Sequence, residues 1–368
     1  MGIRTGAQAP ASDPADSLLA LGEYEKAAAS VSDAGSSITM HLKLAHIYTV
    51  WGKTEQALWH HRKVLSRQPH RILSQVAYAD LLLKSERLSE ADSIYKRLSK
   101  QFPDNPKFYF SRGLIREHQR DSTALSFFEA AAKADNGYYM AYFKISGMLL
   151  NNQDLPGAGR TARKGLRTAP NHTGLLLILA QAQLHQGYFL KAIDQFQKLI
   201  LLGEESSFIH TNLGYLYYRT GKPQKAIDHY RLSLALEPKD PAVHHALGKL
   251  YAEKGELRKS EGHLLRAIIL QSPQLDQEYL SLGITYTRLG TYQKALEAFE
   301  HALAEDPDNQ RALYERAIAA DNFFKDRASV IRFYQAYLNQ YATRGDPALI
   351  NFSKRRISQI KREMHLEK

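Results

Sequence analysis

The chain contains 368 residues, 44% of them hydrophobic, and carries a formal net charge of +11 with no cysteine. The hydrophobic fraction supports a folded core and therefore excludes a wholly disordered chain. The absence of cysteine excludes disulfides, thiolate metal ligands and a cysteine nucleophile, and no apolar run is long enough to span a bilayer. The positive charge permits binding to a polyanion but does not require it.

The N-terminal stretch TGAQAPASDPADS, at residues 5–17, is rich in small residues and proline. This composition is typical of a flexible tail or of the remnant of a cleaved targeting segment. We assign one of these two interpretations to residues 1–13. The second interpretation favours an exported or periplasmic location over a cytoplasmic one.

Small residues recur along the chain with a period of about 34 residues. Consecutive members of the series are 33 to 35 residues apart: Ala57, Ala91, Ala124, Ala158, Ala192, Ala226, Ser260, Ala295 and Ser329. Prolines follow the same period, separated by one or two of its lengths: Pro69, Pro103, Pro170, Pro238 and Pro307. This regular spacing indicates tandem repeats of one structural unit.

Residues 207–240 show what one repeat contains. Gly214 and Tyr217 lie on one face of a first predicted helix, and Ala226 and Tyr230 lie four residues apart on a second. The small residues Gly214 and Ala226 allow the two helices to approach closely, because a bulky side chain at either position would overpack the contact. The unit is therefore predicted to be a pair of packed helices.

The two predicted helices are separated by the stretch Thr220-Gly221-Lys222-Pro223. Glycine commonly ends a helix and proline commonly begins one, so this stretch predicts a turn. A phosphate-binding loop would instead need four residues between its glycines, a Ser or Thr after the lysine, and a preceding strand. Six residues separate Gly214 from Gly221, and proline follows the lysine. We therefore interpret Gly-Lys as a turn between helices.

The repeat resembles the signature W-x2-L-G-x2-Y … A-x3-F … P of the tetratricopeptide repeat family. One match consists of His210, Leu213, Gly214, Tyr217, Ala226, Tyr230 and Pro238, and another of Tyr279, Leu282, Gly283, Tyr286, Ala295, Phe299 and Pro307. No repeat has Trp at the first signature position, and residues 106–138 lack the proline and are one residue short. The resemblance implies an all-α fold, a right-handed superhelical solenoid of antiparallel helix pairs.

The resemblance covers about nine tandem repeats with a capping element at each end. The predicted units are 38–71, 72–105, 106–138, 139–172, 173–206, 207–240, 241–275, 276–309 and 310–343. Residues 14–37 are expected to form a partial repeat that acts as an N-terminal cap. Residues 344–368 are expected to form a C-terminal capping helix, with Ile350, Ile357, Ile360 and Met364 on one stripe.

The sequence predicts no metal, cofactor or catalytic site. No two of the 15 histidines are four residues apart, the spacing that chelation from one helix requires. The glycine-rich stretch LPGAGRTARKG at 155–165 lacks the preceding strand of a dinucleotide loop, although its basic side chains could contact an anion. The repeat pattern singles out no Ser-His-Asp group or carboxylate pair. We therefore expect a protein that is not an enzyme.

The resemblance implies that the first helix of each unit lines a concave groove. The residues at the groove-facing positions of units 207–240 and 241–275 are Phe208, Thr211, Asn212, Tyr215, Tyr218, Arg219, His245 and Lys249. Aromatic side chains beside Arg, Asn and Lys are suited to anchoring a peptide. We predict that these eight residues bind a segment of a partner protein.

The first functional interpretation is thus a non-enzymatic scaffold for protein–protein interaction. A second, suggested by the net charge, is a binder of polyanions such as nucleic acid or an acidic polysaccharide. A third is an accessory subunit of an exported envelope or polysaccharide assembly system, which would use the same groove. The identity of the partner stays open at this point.

Overall fold

The computed structural model describes residues 14–32, 36–270 and 275–366, and every regular element in those residues is an α-helix. The predicted tail at residues 1–13 lies outside the described residues. The chain divides between Gln186 and Gly187 into two compact units. None of the described helices combines the length and the apolar character needed to cross a membrane.

The helices of the first unit are α1 (Pro14–Ala20), α2 (Tyr24–Ser32), α3 (Ile38–Trp51), α4 (Thr54–Arg67), α5 (Ile72–Lys84), α6 (Leu88–Gln101), α7 (Pro106–His118), α8 (Ala124–Ala134), α9 (Tyr139–Asn151), α10 (Leu155–Thr168) and α11 (Thr173–His185). Those of the second unit are α12 (Phe189–Leu201), α13 (Ser207–Arg219), α14 (Pro223–Leu236), α15 (Pro241–Glu253), α16 (Leu257–Leu270), α17 (Asp276–Arg288), α18 (Tyr292–Glu305), α19 (Gln310–Phe323), α20 (Arg327–Tyr341) and α21 (Pro347–Leu366).

Contacts within one helix pair show that its two helices run in opposite directions. In the pair α13–α14, the backbone at Gly214 packs against the ring of Tyr230. Nearer the start of α13, the carbonyl of Ser207 accepts a hydrogen bond from the Ser233 hydroxyl of α14 at 3.2 Å. Because a lower residue number on α13 meets a higher one on α14, the pair is antiparallel. The predicted all-α fold of antiparallel helix pairs is confirmed.

The predicted close approach of the two helices is also confirmed. A Cβ atom added at Gly214 would lie 2.7 Å from a ring carbon of Tyr230, well inside contact distance, and Ala226 is fully buried. A Cβ added at Gly283 would lie 2.5 Å from the ring of Phe299. The aromatic ring of the second helix therefore packs directly on the backbone of the first.

The predicted turn between α13 and α14 is formed by a left-handed glycine. Gly221 has φ +71, a conformation that other residues rarely adopt, and its N–H donates to the carbonyl of Tyr218 at 3.1 Å. Pro223 is the first residue of α14, where the missing N–H of proline costs no helical hydrogen bond. Gly221-Lys222 is a helix-to-helix turn, as the sequence predicts.

The helices at both ends of the described chain pack on their neighbours through apolar side chains. Ala27 and Val31 of α2 join Leu44 of α3 in one buried cluster. In α21, Ile357 and Ile360 pack against Tyr334 of α20. The apolar stripe of the C-terminal helix is thus buried, which is what a helix covering the last repeat requires.

Candidate functional site

The eight predicted groove residues lie on two first helices of the second unit. Helix α13 holds Phe208, Thr211, Asn212, Tyr215, Tyr218 and Arg219, and helix α15 holds His245 and Lys249. The N-terminus of α13 is capped by Ser206, whose hydroxyl accepts from the N–H of Ile209, and that of α15 by Asp240, which accepts from Val243 at 3.1 Å. These caps fix where each helix begins and hence which residues share a face.

A cavity of about 220 Å³ opens between α13 and α15. Four of the predicted residues line it: Tyr215, Tyr218, His245 and Lys249. The rest of its lining consists of Tyr230, Ala242, Ala246 and Leu250. Its walls are aromatic and aliphatic with a single cation, a combination that suits an apolar side chain next to a negative charge.

The cavity exists because small residues surround it. Tyr230 reaches the cavity across Gly214, where any side chain would collide with its ring. Ala242 and Ala246 end at Cβ, whereas the corresponding positions one repeat earlier hold a phenylalanine and an asparagine. Since nothing larger fills the space in front of α15, the tyrosine rings border an open volume.

The cation of the cavity is available to a ligand. Lys249 is exposed and forms no hydrogen bond or ion pair with any residue that the structure describes. The nearby carboxylate of Glu253 instead accepts the hydroxyl of Tyr218 at 2.9 Å, and this hydrogen bond raises the pKa of Tyr218. The Lys249 ammonium can therefore form a charge-assisted hydrogen bond to an incoming carboxylate.

Arg219 lies beside the cavity and supports one of its walls. Its guanidinium is 4.7 Å from the ring centroid of Phe189 and 5.6 Å from that of Tyr215, which are distances for cation–π contact. It also donates a hydrogen bond to the Tyr215 hydroxyl at 2.5 Å. These contacts hold the Tyr215 ring in one orientation, so that the wall is formed before any ligand arrives.

The structure does not bring the remaining three predicted residues to the cavity. Thr211 turns toward α14, where its hydroxyl is 2.7 Å from that of Ser233. Asn212 donates to the carbonyl of Phe208 at 2.8 Å on the same helix. The Phe208 ring is 48% exposed and meets the ring of Phe196 edge-on at 6.4 Å.

His245 contributes a neutral ring to the cavity. Burial lowers its pKa to about 4, and Lys249 acts in the same direction. Its Nε2 is 3.0 Å from the hydroxyl of Ser281, and its Nδ1 is 3.5 Å from the carboxylate of Glu278. A carboxylate at that distance favours a charged ring, but the loss of hydration on burial outweighs it.

Sequence reasoning missed four lining residues of the cavity, namely Tyr230, Ala242, Ala246 and Leu250. Tyr230 occupies a signature position and is predicted as core, and its ring is indeed only 5% exposed. The two alanines are the available signal, because they replace larger residues of the preceding repeat. Their meaning depends on which helix faces them, which the repeat pattern alone does not state.

The structure also contains three histidine pairs that the sequence analysis did not identify. In each, the two Nδ1 atoms lie within hydrogen-bond distance: His41–His60 at 2.9 Å, His210–His229 at 3.0 Å and His244–His263 at 2.9 Å. A tyrosine of the first helix stacks on the second histidine in each case, with centroids 5.4, 5.3 and 5.5 Å apart for Tyr48, Tyr217 and Tyr251. One nitrogen must donate and the other accept, so each contact needs an uncharged ring.

One of the pairs also contacts a carboxylate. The Nε2 of His210 lies 2.9 Å from Oε1 of Glu205, and its Nδ1 lies 3.0 Å from that of His229. Burial lowers the pKa of His229. In the other pairs, burial lowers the pKa of His60 and of His263 to about 4. Among the described residues, no group of three or more His, Cys, Asp or Glu could hold a metal ion.

Models of repeat families match three parts of the chain. Two models described as tetratricopeptide repeat match residues 77–139 and 276–319, and one described as TPR repeat matches residues 214–255. The last of these begins within α13 and covers all of α14 and α15. Comparison with curated proteins gave no match.

Solved structures of repeat proteins match more than half of this chain. The C-terminal part of a TPR repeat-containing protein from Cytophaga hutchinsonii is 18% identical with a TM-score of 0.50, over 65% of this chain and 98% of that one. YrrB, described as a TPR protein with an unusual peptide-binding site, is 20% identical with a TM-score of 0.47. The match covers 51% of this chain and 96% of that one. The Cut9–Hcn1 hetero-tetramer of APC/C is 13% identical with a TM-score of 0.45, and the match covers 93% of this chain and 95% of that one.

Proposed function

Because this chain is a tetratricopeptide repeat protein, we propose that it is a non-enzymatic scaffold that binds a segment of a partner protein on α13 and α15. The observation that carries the proposal is the cavity between these helices. It presents three tyrosine rings, from Tyr215, Tyr218 and Tyr230, beside the exposed side chain of Lys249. An apolar pocket next to a charged or polar side chain is the usual composition of a binding hot spot.

The mechanism of binding is a surface formed in advance. Tyr215 is held by Arg219, Tyr218 by Glu253, and Tyr230 by the packing of its own helix pair. Ordering these rings costs little further entropy on binding, so more of the contact energy contributes to affinity. An apolar side chain of the partner enters the cavity, and a neighbouring carboxylate pairs with Lys249.

The contact of His245 with Ser281 and Glu278 does not favour a hydrolase. Ser281 lies in the middle of α17, where backbone N–H groups are used by the helix and cannot stabilise an oxyanion. The 3.5 Å between His245 and Glu278 is longer than the hydrogen bond that orients a catalytic histidine. These groups support a structural contact between α15 and α17.

The test replaces Tyr215, Tyr218 and Arg219 together by alanine, which removes two walls and the cation that supports one of them. We expect the immobilised wild type to retain a protein from native extract that the triple variant does not retain. A purified fragment of that protein should bind the variant at least about tenfold more weakly by titration calorimetry. Equal unfolding temperatures would show that both proteins are folded.

Two further variants decide where the partner binds. Ala246→Phe fills the cavity without removing any charge or tyrosine and should also abolish binding. Arg231, Leu232 and Leu236 form a matched control on α14, since all three are exposed and their replacement by alanine leaves the cavity intact. Undiminished binding to Ala246→Phe and to the triple variant of α13 would reject this site.

A further inference from the structure

Helix α10 in the first unit presents a second surface of uniform charge. Arg160, Arg163, Lys164 and Arg167 are spaced i, i+3, i+4 and i+7, which places them on one side of the helix. All four are exposed and border a shallow depression of about 500 Å³. None of them forms a hydrogen bond or an ion pair with a residue in the described part of the chain.

The opposite side of α10 explains why its long side chains are all on one face. The buried residues of this helix are Gly157, Ala158, Gly159, Ala162 and Gly165. A Cβ at Gly165 would lie 2.7 Å from a methyl carbon of Leu175 on α11 and 3.0 Å from Cβ of Tyr142 on α9. The helix thus packs through its backbone, and the four cations take no part in that packing.

The charge of this region is also left uncompensated. Residues 136–186 contain five cations and one acid, Asp154, which contributes +4 of the chain's +11. Asp154 is used as the N-cap of α10. The fifth cation, Lys144, is neutralised by Glu117 at 2.6 Å, and elsewhere in this unit Asp92 binds two arginines. Like charges at i, i+4 on a helix repel one another, so the folded protein gains no stability from this arrangement.

We propose that the basic face of α10 docks an acidic helical segment of a partner protein. The first and last of the four cations are seven residues apart, which is about 10 Å along the helix at 1.5 Å per residue. Carboxylates at i, i+3, i+4 and i+7 of an acidic helix have the same spacing along one face. Three of the four cations are arginines, whose planar guanidinium binds a carboxylate through two parallel hydrogen bonds.

The composition of the face favours this occupant over other polyanions. The exposed side of α10 carries no aromatic ring on which the bases of a single-stranded nucleic acid could stack. It carries no exposed large apolar side chain to insert into a lipid surface, because Leu166 is half-buried. The docking is therefore electrostatic and depends on matched charge spacing.

The probe is a labelled 16-residue helical peptide with glutamates at i, i+3, i+4 and i+7 and alanine or glutamine elsewhere, titrated with the full chain in fluorescence anisotropy. Replacing Arg160, Arg163, Lys164 and Arg167 together by glutamine should weaken binding by more than about tenfold and remove most of its salt dependence. The matched control replaces Lys354, Arg355, Lys361 and Arg362 of α21, which are equally exposed, by glutamine. That variant loses the same charge and should bind the peptide as the wild type does.

Three outcomes would overturn the proposal. If the two glutamine variants lose peptide affinity equally, the binding depends on net charge and not on the face of α10. If the α10 variant binds the peptide as tightly as the wild type does, the peptide does not bind to this face. Binding of duplex DNA or of phosphatidylserine vesicles that is lost only in the α10 variant, without peptide binding, would assign the face to another class of partner.

Discussion

The helix pairs α9–α10 and α13–α14 have the same construction but expose different chemistry. In α13–α14 the glycine is on the first helix, where Gly214 receives the ring of Tyr230. In α9–α10 the tightly packed glycine is on the second helix, where Gly165 lies against Tyr142 of α9 and also against Leu175 of α11. The pair α9–α10 leaves four cations exposed to solvent, whereas the pair α13–α14 borders an aromatic cavity.

The packing of a helix pair constrains its buried residues but leaves the chemistry of its exposed faces open. Packing requires a small residue opposite a large one, and either helix can supply the small one. The exposed faces are not constrained by that requirement. Lys249 and the four cations of α10 form no hydrogen bond or ion pair with residues that the structure describes, so they are the side chains on these faces that we expect to contact a partner.

The largest expected difference between the two pairs is their response to acid. His210 and His229 join α13 to α14, whereas the corresponding positions of α9–α10 hold Tyr142 and Thr161. Because burial lowers the pKa of His229, the unfolded chain binds more protons than the folded one below pH 6.5. Stability present above that pH should be lost as the pH falls. Two histidines outside the compared pairs, His60 on α4 and His263 on α16, have a pKa of about 4. Protonation of each in the unfolded chain should lower the free energy of unfolding by about 1–2 kcal/mol by pH 5.

Urea unfolding between pH 7.5 and 5 measures the total loss of stability. Hydrogen exchange assigns the part that comes from His229 to α13–α14 rather than α9–α10. The charges near the titrating rings act in both directions. Lys225 lowers the pKa of His229 and Asp228 raises it, while Arg266 and Arg231 lower that of His263. His229→Gln and His263→Gln should flatten the pH profile, and His118→Gln, at an exposed position, should not. An unchanged slope in the first two would contradict this account.

The next effect concerns the two glycines. Gly214→Leu and Gly165→Leu should each destabilise the protein by about 1–3 kcal/mol, because each overpacks a helix contact. The loss should be larger at Gly214, where a buried ring blocks the space, than at Gly165, where the nearest atom is a methyl at the end of a leucine. Chemical denaturation measures both. Gly262→Ala is the control, since a Cβ there meets nothing within 4 Å, and should stabilise α16 by about 0.5–1 kcal/mol. Equal stability of wild type and Gly214→Leu would refute the proposed packing.

The smallest effect compares the N-caps of α10 and α13. Asp154 accepts from the N–H of Gly157 at 2.9 Å, whereas Ser206 accepts from Ile209 at 3.4 Å. Asp154→Ala should therefore cost about 1 kcal/mol and Ser206→Ala only a few tenths. Asp154→Asn keeps the cap and should recover most of the loss. Thermal unfolding of the wild type, Asp154→Ala, Asp154→Asn and Ser206→Ala measures these losses of stability. A larger loss for Ser206→Ala than for Asp154→Ala would contradict the expected order.

The sequence was sufficient for the helix pairs, the Gly221 turn and the small residues at helix contacts, because these follow from local periodicity and backbone conformation. It was less informative about the candidate site. Four of eight predicted residues line the cavity, while Thr211 and Asn212 bond within their own helix pair. Side-chain direction at such positions depends on the rotation of each helix about its axis, which a repeat signature does not specify.

The repeat, its helical content and the absence of cysteine chemistry follow from the amino-acid sequence alone, because the 34-residue period appears directly in the residue types. The tertiary structure was needed to show that Tyr230 lines a cavity, that histidines 19 residues apart are hydrogen-bonded, and that no described carboxylate pairs with the four cations of α10. Each of these depends on which residues of distant helical turns meet. That is fixed by the antiparallel packing of helices, a property of side-chain volumes acting together rather than of any one segment.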